Sequence, residues 1–252
     1  MDYTMLGSTG VEVSRLGLGT MSFGGDADES VAAAMFNRAR DVGINFFDTA
    51  DVYNQGRSEE ILGRLIAQCR DQIILATKAY FPTGSDINAR GSSRYHLVRA
   101  VEASLRRLNT DRIDVFFLHR FDEKTPLEES LRGLEDLVRQ GKILYPAASN
   151  FAAWQTATAI GLAERNGWTP VAAIQPMYNL VKRQAEVEIL PQARSAGLAV
   201  FPYSPLGGGL LTGKYRRQGG PAEGRLVANK MYEIRYGDPR NYEIAEAFTA
   251  LC

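Results

Sequence analysis

NFFDTADVY at residues 45–53, IILATK at 73–78 and DVFFLH at 114–119 are three apolar runs that each lead into ionisable side chains. Short, rich in aromatic and aliphatic residues and bounded by polar turns, they read as buried strands. On that reading Asp48 with Tyr53, Lys78, and His119 stand at the same end of three successive strands. Runs of the same kind occur at 16–20, 143–149, 173–177 and 198–203, and the three quoted runs give strands over 45–49, 73–78 and 113–119.

Between these runs the periodicity changes. ESVAAAMFNRARDVG (29–43), YHLVRAVEASLRRLN (95–109) and PLEESLRGLEDLVRQG (126–141) carry charges on one helical face and Leu, Val and Ala on the other. Gly43, Gly141 and Gly197 follow helices, where a glycine can take the left-handed conformation that ends them. Strand–helix repeats of this number predict a parallel sheet closed into a (β/α)8 TIM barrel. Ahead of it, YTMLG (3–7) and VEVS (11–14) flank the turn Ser8-Thr9-Gly10 and predict an antiparallel hairpin. The first strand lacks the GxGxxG signature of an open dinucleotide-binding sheet. Only seven parallel strands are legible before the final helical stretch NYEIAEAFTALC (241–252), so the expectation is one domain over 1–252 that ends before its eighth strand.

Composition narrows the class. A chain of 252 residues with 45% hydrophobic content buries a large core. Lys plus Arg and Asp plus Glu number 29 each, which gives no bulk charge to attract nucleic acid or an anionic membrane. Cys69 and Cys252 are the only cysteines and have no metal-ligand spacing, so neither a disulfide framework nor a metal site is expected. The polar, turn-rich start MDYTMLGSTGVEVSRLGLGT reads neither as a secretory signal nor as an anchor, and the expected address is cytoplasmic.

A barrel gathers its chemistry at the carboxyl ends of its strands. There a tyrosine, with a reference pKa of about 10, becomes a usable proton donor when an ammonium stabilises its phenolate. Lys78 is the candidate ammonium for Tyr53, Asp48 the carboxylate that holds it, and His119 a donor that polarises a carbonyl oxygen. Hydride must come from a bound cofactor, because no side chain supplies it. Taken singly, each residue has a plainer reading: Asp48 as a helix cap, Tyr53 as a loop residue over the core, Lys78 and His119 as satisfied structural groups. Four complementary roles at neighbouring strand ends favour the chemical reading.

The segments LGLGTMSFGG (16–25), FFDTADVYNQGRSEEILG (46–63), ATK (76–78), SLRRLNTDRIDVFFLHR (104–120), GKI (141–143), SNF (149–151), QPMYN (175–179) and YSPLGGGLLTGKY (203–215) resemble, in order, those of the aldo-keto reductases, in the branch similar to potassium-channel beta subunits. The resemblance implies an oxidoreductase that reduces a small aldehyde or ketone with NADPH, NADH being the other candidate. Asp48, Tyr53, Lys78 and His119 would form the catalytic set. Ser149 and Asn150 would hold the nicotinamide carboxamide, Gln175 would assist, and Tyr203 would stack on the ring. Ser204, Pro205, Leu206 and Gly209 would belong to the cofactor clamp, with Lys214 placing a positive charge near the pyrophosphate. Met21, Phe23, Tyr80, Phe81 and Arg120 would wall the substrate pocket, with Met21 and Phe23 equally readable as core. The alternatives are a cofactor-binding regulatory subunit and a truncated pseudoenzyme; a homo-oligomer is open. In KILYPAASNF (142–151), Ala147 stands where the family commonly has glycine, and Pro146 removes a strand donor, so local distortion is expected there.

Overall fold

In the computed structural model, which describes residues 1–216 and 223–252, the chain forms two compact units. One comprises Met1–Ile174 with Gln192–Phe201, the other Gln175–Pro191 with Pro202–Cys252. The first opens with an antiparallel hairpin, β1 (Tyr3–Met5) and β2 (Glu12–Ser14). Seven parallel strands follow in chain order: β3 (Gly17–Gly19), β4 (Phe46–Asp48), β5 (Ile74–Ala79), β6 (Ile113–Leu118), β7 (Ile143–Ser149), β8 (Ala173–Gln175) and β9 (Ala199–Val200). The connecting helices are α1 (Glu29–Asp41), α2 (Arg57–Ile66), α3 (Arg94–Leu108), α4 (Leu127–Arg139), α5 (Ala153–Asn166) and α6 (Ile189–Ser195). No eighth parallel strand occurs among the described residues, and β3 and β9 are the outer strands.

Strand alternation divides the apolar residues between two layers. Phe47, Leu75, Phe116 and Leu118 pack outward with Leu62, Leu97, Val101 and Leu134 of the helices. Phe46, Ala76, Val115, Phe117, Ala147 and Ala173 face inward and pack with Leu6 and Val13 of the hairpin. The sheet is strongly curled. Phe46 on β4 stacks on Phe201, just past β9, with ring centroids 4.1 Å apart. In a flat sheet those strands would be separated by five steps of about 4.8 Å, roughly 24 Å.

The hairpin occupies the end where the strands begin. The Ser14 amide donates to Asn45 Oδ1 at 2.7 Å, ahead of β4, and a Cβ on Gly7 would lie 2.8 Å from the carbonyl oxygens of Ala172 and Gly197, ahead of β8 and β9. The opposite end is left to the strand-end residues. Gly43, Gly141 and Gly197 have φ of 88°, 69° and 64°, as their helix-ending role requires. Gly63 is needed for a different reason: a Cβ there would meet the Leu108 carbonyl oxygen at 2.6 Å, so α2 and α3 touch through backbone.

The distortion expected at Pro146 does not occur. β7 runs unbroken through Ile143–Ser149, with Phe116 paired to Pro146 and Phe117 to Ala147. The Pro146 carbonyl accepts from the Ala172 amide at 2.8 Å. In a parallel ladder the donor that Pro146 lacks would point at residue 170, before β8 starts, so no ladder bond is lost.

The second unit buries Leu210, Leu211, Tyr215, Leu226, Tyr232, Tyr236 and Ala245 around α7 (Arg225–Ala228), α8 (Lys230–Tyr236) and α9 (Pro239–Leu251). No helix among the described residues is long and apolar enough to cross a membrane.

Candidate active site

The inward face of the strands supplies the site by simple continuation. Asp48 is two residues past the inward Phe46, Lys78 two past Ala76, His119 two past Phe117, and Ser149 two past Ala147. Period-two alternation therefore turns all four toward the sheet interior, one step beyond the last apolar layer.

Lys78 is fully buried, and its ammonium is satisfied on several sides. Nζ donates to Asp48 Oδ2 at 2.6 Å and to the Thr49 carbonyl at 2.7 Å, and it lies 3.5 Å from the Tyr53 hydroxyl oxygen. Burial works against the charge, but the Asp48 carboxylate and then Tyr53 outweigh it and hold the ammonium above the usual lysine range. The imidazole of His119 meets the Tyr53 ring edge-on at 5.9 Å and Phe81 at 4.9 Å. Burial, and secondarily Lys78, push its pKa down to about 3, so it is neutral at physiological pH. Its Nδ1 is buried and has no hydrogen-bond partner among the described residues.

Tyr53 is aimed by a tight turn. Its amide donates to the Ala50 carbonyl at 3.1 Å, and the next two residues, Asn54 and Gln55, have φ of 48° and 57°. Left-handed backbone costs a non-glycine residue energy, offset here by the Asn54 side chain, which donates to the Met21 and Phe23 carbonyls at 2.9 and 2.8 Å. The layer behind holds Glu59, fully buried, accepting from Thr77 Oγ1 and Arg107 Nε, both at 2.6 Å.

The expected nicotinamide residues of the first unit are adjacent to this group. Ser149 is buried; Asn150 has φ of 57° and its side-chain amide donates to the His119 carbonyl and Ser149 Oγ, each at 3.0 Å. Tyr80 and Phe81 pack edge to face at 5.3 Å, Arg120 and Met21 are exposed, and Phe23 is fully buried with Ala27, Ala32 and Ile61. Of the expected wall residues, Phe23 thus packs as core.

Within the second unit, Gln175 is buried, Tyr203 bridges to Met177, and Asn179 donates to the Ser204 carbonyl at 2.9 Å. Pro205 and Leu206 are exposed. The turn Gly207–Thr212 follows, with Gly208 and Gly209 at φ of 68° and 99°. A Cβ on Gly209 would come within 3.1 Å of Lys214 Cε, so the lysine lies along bare backbone, a cradle suited to phosphate oxygens.

Thr49, Asp51, Asn54 and the Glu59–Arg107 pair were not singled out by sequence. Only Asn54 carried a signal, as the first residue of the turn-forming run Asn-Gln-Gly.

Comparison with known proteins finds relatives over most of the chain. An uncharacterized oxidoreductase of Bacillus subtilis, YrpG, is 46% identical over 226 residues, 85% of this chain and 69% of the relative. A probable voltage-gated potassium channel subunit beta of Arabidopsis thaliana is 38% identical over 232 residues, 90% of this chain and 70% of the relative. The aldo-keto reductase YhdN of Bacillus subtilis is 40% identical over 220 residues, 85% of this chain and 65% of the relative. A model of the aldo/keto reductase family matches residues 15–252, and with the Asp48, Tyr53, Lys78 and His119 cluster at the strand ends the chain belongs to the aldo/keto reductase family.

Proposed function

We propose that this chain reduces an aldehyde or ketone to the alcohol, with NADPH as hydride donor and Tyr53 as proton donor. The observation that carries the reading is the buried Lys78 ammonium, hydrogen-bonded to Asp48 and Thr49 and set beside the Tyr53 hydroxyl. As Tyr53 gives up its proton, the negative charge growing on its oxygen meets an ammonium already desolvated and fixed, which needs little reorganisation. Asp48 keeps that ammonium charged and in place. His119, neutral, can donate an N–H to the carbonyl oxygen without itself becoming a competing acid. The nicotinamide cofactor supplies hydride when bound.

The residues present fit such a cofactor. The first unit's Ser149 and Asn150, fixed against the His119 carbonyl, are assigned its carboxamide. In the second unit Gln175, Tyr203 and the Ser204–Gly209 segment with Lys214 are assigned to it as the resemblance implies, the glycine cradle beside Lys214 taking a phosphate. Tyr80, Phe81, Met21 and Arg120 are assigned to the carbonyl compound. Residues 1–252 are read as one oxidoreductase domain, since the family match crosses both units.

The test is NADPH consumption with an activated aromatic aldehyde by this chain and its Tyr53→Phe variant. Loss of roughly 10²- to 10⁴-fold in kcat with cofactor binding retained is expected for removal of a general acid. Equal rates in the two proteins would remove Tyr53 from the chemistry. NADPH binding without turnover in the unaltered chain would favour a cofactor-binding regulatory subunit, the reading that the name of the Arabidopsis relative suggests.

A further inference from the structure

Asp51 has no part in the tetrad, yet it lies on the same segment, three residues after Asp48 and two before Tyr53. Its amide donates to the Lys78 carbonyl at 3.0 Å, which ties the segment to the end of β5. The Tyr53 amide returns to Ala50, so Asp51 and Tyr53 share one tight turn. The Asp51 residue is 3% exposed, and neither carboxyl oxygen has a hydrogen-bond partner among the described residues. A charged carboxylate is poorly tolerated in such a place, whereas a neutral acid is accommodated.

The charged groups around it come from several elements. Glu59 of α2 is buried and already bound to Arg107 of α3 and Thr77 of β5, so it repels a second negative charge without offering Asp51 a free cation. Lys78 of β5 is committed to Asp48. On the other side Asp51 borders a cavity of about 340 Å³ together with His96, Arg99, Glu102, Arg106 and Arg107 of α3. Of these, Arg99 is paired with Asp86 and Glu102 with Lys142. His96 has its Nε2 buried without a partner among the described residues, and burial lowers its pKa, so it supplies no charge at neutral pH. Burial first and Glu59 second raise the Asp51 pKa to about 8, against the pull of Arg107, of the nearby Val52 amide and of Lys78.

We propose that Asp51 is a positioning residue for Tyr53: as a neutral acid it lets the turn at residues 50–53 seat against β5 and α2, and on losing its proton it turns toward the α3 arginines and draws Tyr53 away from Lys78. The catalytic consequence rests on the reading of Tyr53 as proton donor; the movement itself does not. The unpaired neutral form has room beside it and guanidinium groups across the cavity, so a charged form has somewhere to go. Because Asp51 and Tyr53 share one turn, the displacement passes to the phenol directly.

The experiment is a pH titration of the chain carrying tyrosine labelled with ¹³C at Cζ, the Tyr53 signal being identified by its loss in Tyr53→Phe. A step in that signal near pH 8, absent in Asp51→Asn, is the expected result. A Tyr53 signal with no step near pH 8, or the same step in both proteins, overturns the proposal. Should Asp51→Asn not fold, the unaltered chain alone still decides, because a flat signal through pH 8 is incompatible with the movement. The second arm is the pH profile of kcat/KM, where the alkaline limb of Asp51→Asn should move upward by about one pH unit or more. Superimposable profiles would overturn the catalytic consequence, whereas no turnover in either protein, with the NMR step intact, would indict the reductase reading and leave the movement standing.

Discussion

At the scale of single residues, the site is a set of opposed charge states held by burial. Lys78 keeps its charge because Asp48 and Thr49 satisfy it; His119, in the same interior and next to that ammonium, is denied one. The unfolded chain binds a proton at His119 below about pH 6.5 that the folded chain refuses until about pH 3. Stability from this group is therefore present above pH 6.5 and lost as pH falls toward 3, at up to about 1.4 kcal/mol per pH unit. Asp51 has the opposite sign, its folded pKa of about 8 lying above the unfolded value, so its contribution is lost as pH rises from about 4 to 8. The two slopes oppose each other through mildly acidic pH, and only that of Asp51 remains above 6.5. Urea midpoints measured from pH 4 to 9 should accordingly fall between about 6.5 and 8, and His119→Asn should leave the Asp51 slope unopposed, so that the fall begins already near pH 4. A midpoint that rises between 6.5 and 8 would contradict the buried neutral acid. The tetrad was legible in the sequence because its members sit at fixed offsets from apolar runs. Asp51 was not, since nothing in DTADVY (48–53) says which of its two aspartates will face Lys78 and which will be sealed without a hydrogen-bond partner among the described residues.

At the scale of elements, the turn after Tyr53 shows how a strained segment is held. Asn54 sits at positive φ, and its two bonds to the Met21 and Phe23 carbonyls anchor the loop to the segment after β3. Asn54→Ala removes both bonds and keeps an unfavourable backbone, for an expected loss of about 1–3 kcal/mol in a denaturant titration. Because Tyr53 precedes it directly, kcat should fall with it while NADPH affinity changes little; an unchanged kcat would show that Tyr53 is aimed by other contacts. Strand and helix boundaries came through the sequence well: the expected strands at 45–49 and 113–119 are β4 and β6 with their ends trimmed, and the glycines that stop helices have the φ that job requires. Pro146 misled because residue type alone does not tell which neighbour a strand position donates to. The donor it lacks would address residue 170, ahead of the start of β8, a fact of register. The burial of Phe23 was hidden for a similar reason, an apolar residue after a strand being equally at home in a pocket wall and under a helix.

At the scale of the whole first unit, curling of the sheet rests on few side chains. Phe201 stacks on Phe46 and meets Phe117 edge-on at 6.4 Å, so one ring just past β9 reaches residues of β4 and β6. Phe201→Ala should cost about 2–4 kcal/mol, read as a lowered urea midpoint, with the Lys78 cluster intact in the folded fraction. A cost under about 0.5 kcal/mol would mean that strand pairing alone holds the curl. The parallel order and the hairpin could be read from alternation and turn residues, but not this cross-sheet contact, which depends on three-dimensional closure. It also fixes an order of events during synthesis. Phe46 and Phe201 are about 155 residues apart, and at ribosomal speeds of about 5–20 residues per second the second emerges roughly 8–30 seconds after the first. Over the later part of that interval, about 85 residues long, Phe46, Val115 and Phe117 have all been made but the ring that covers them has not. The nascent chain is an open apolar trough whose partner is still being translated, and its yield in the cell depends on what keeps that trough from other nascent chains until Phe201 arrives.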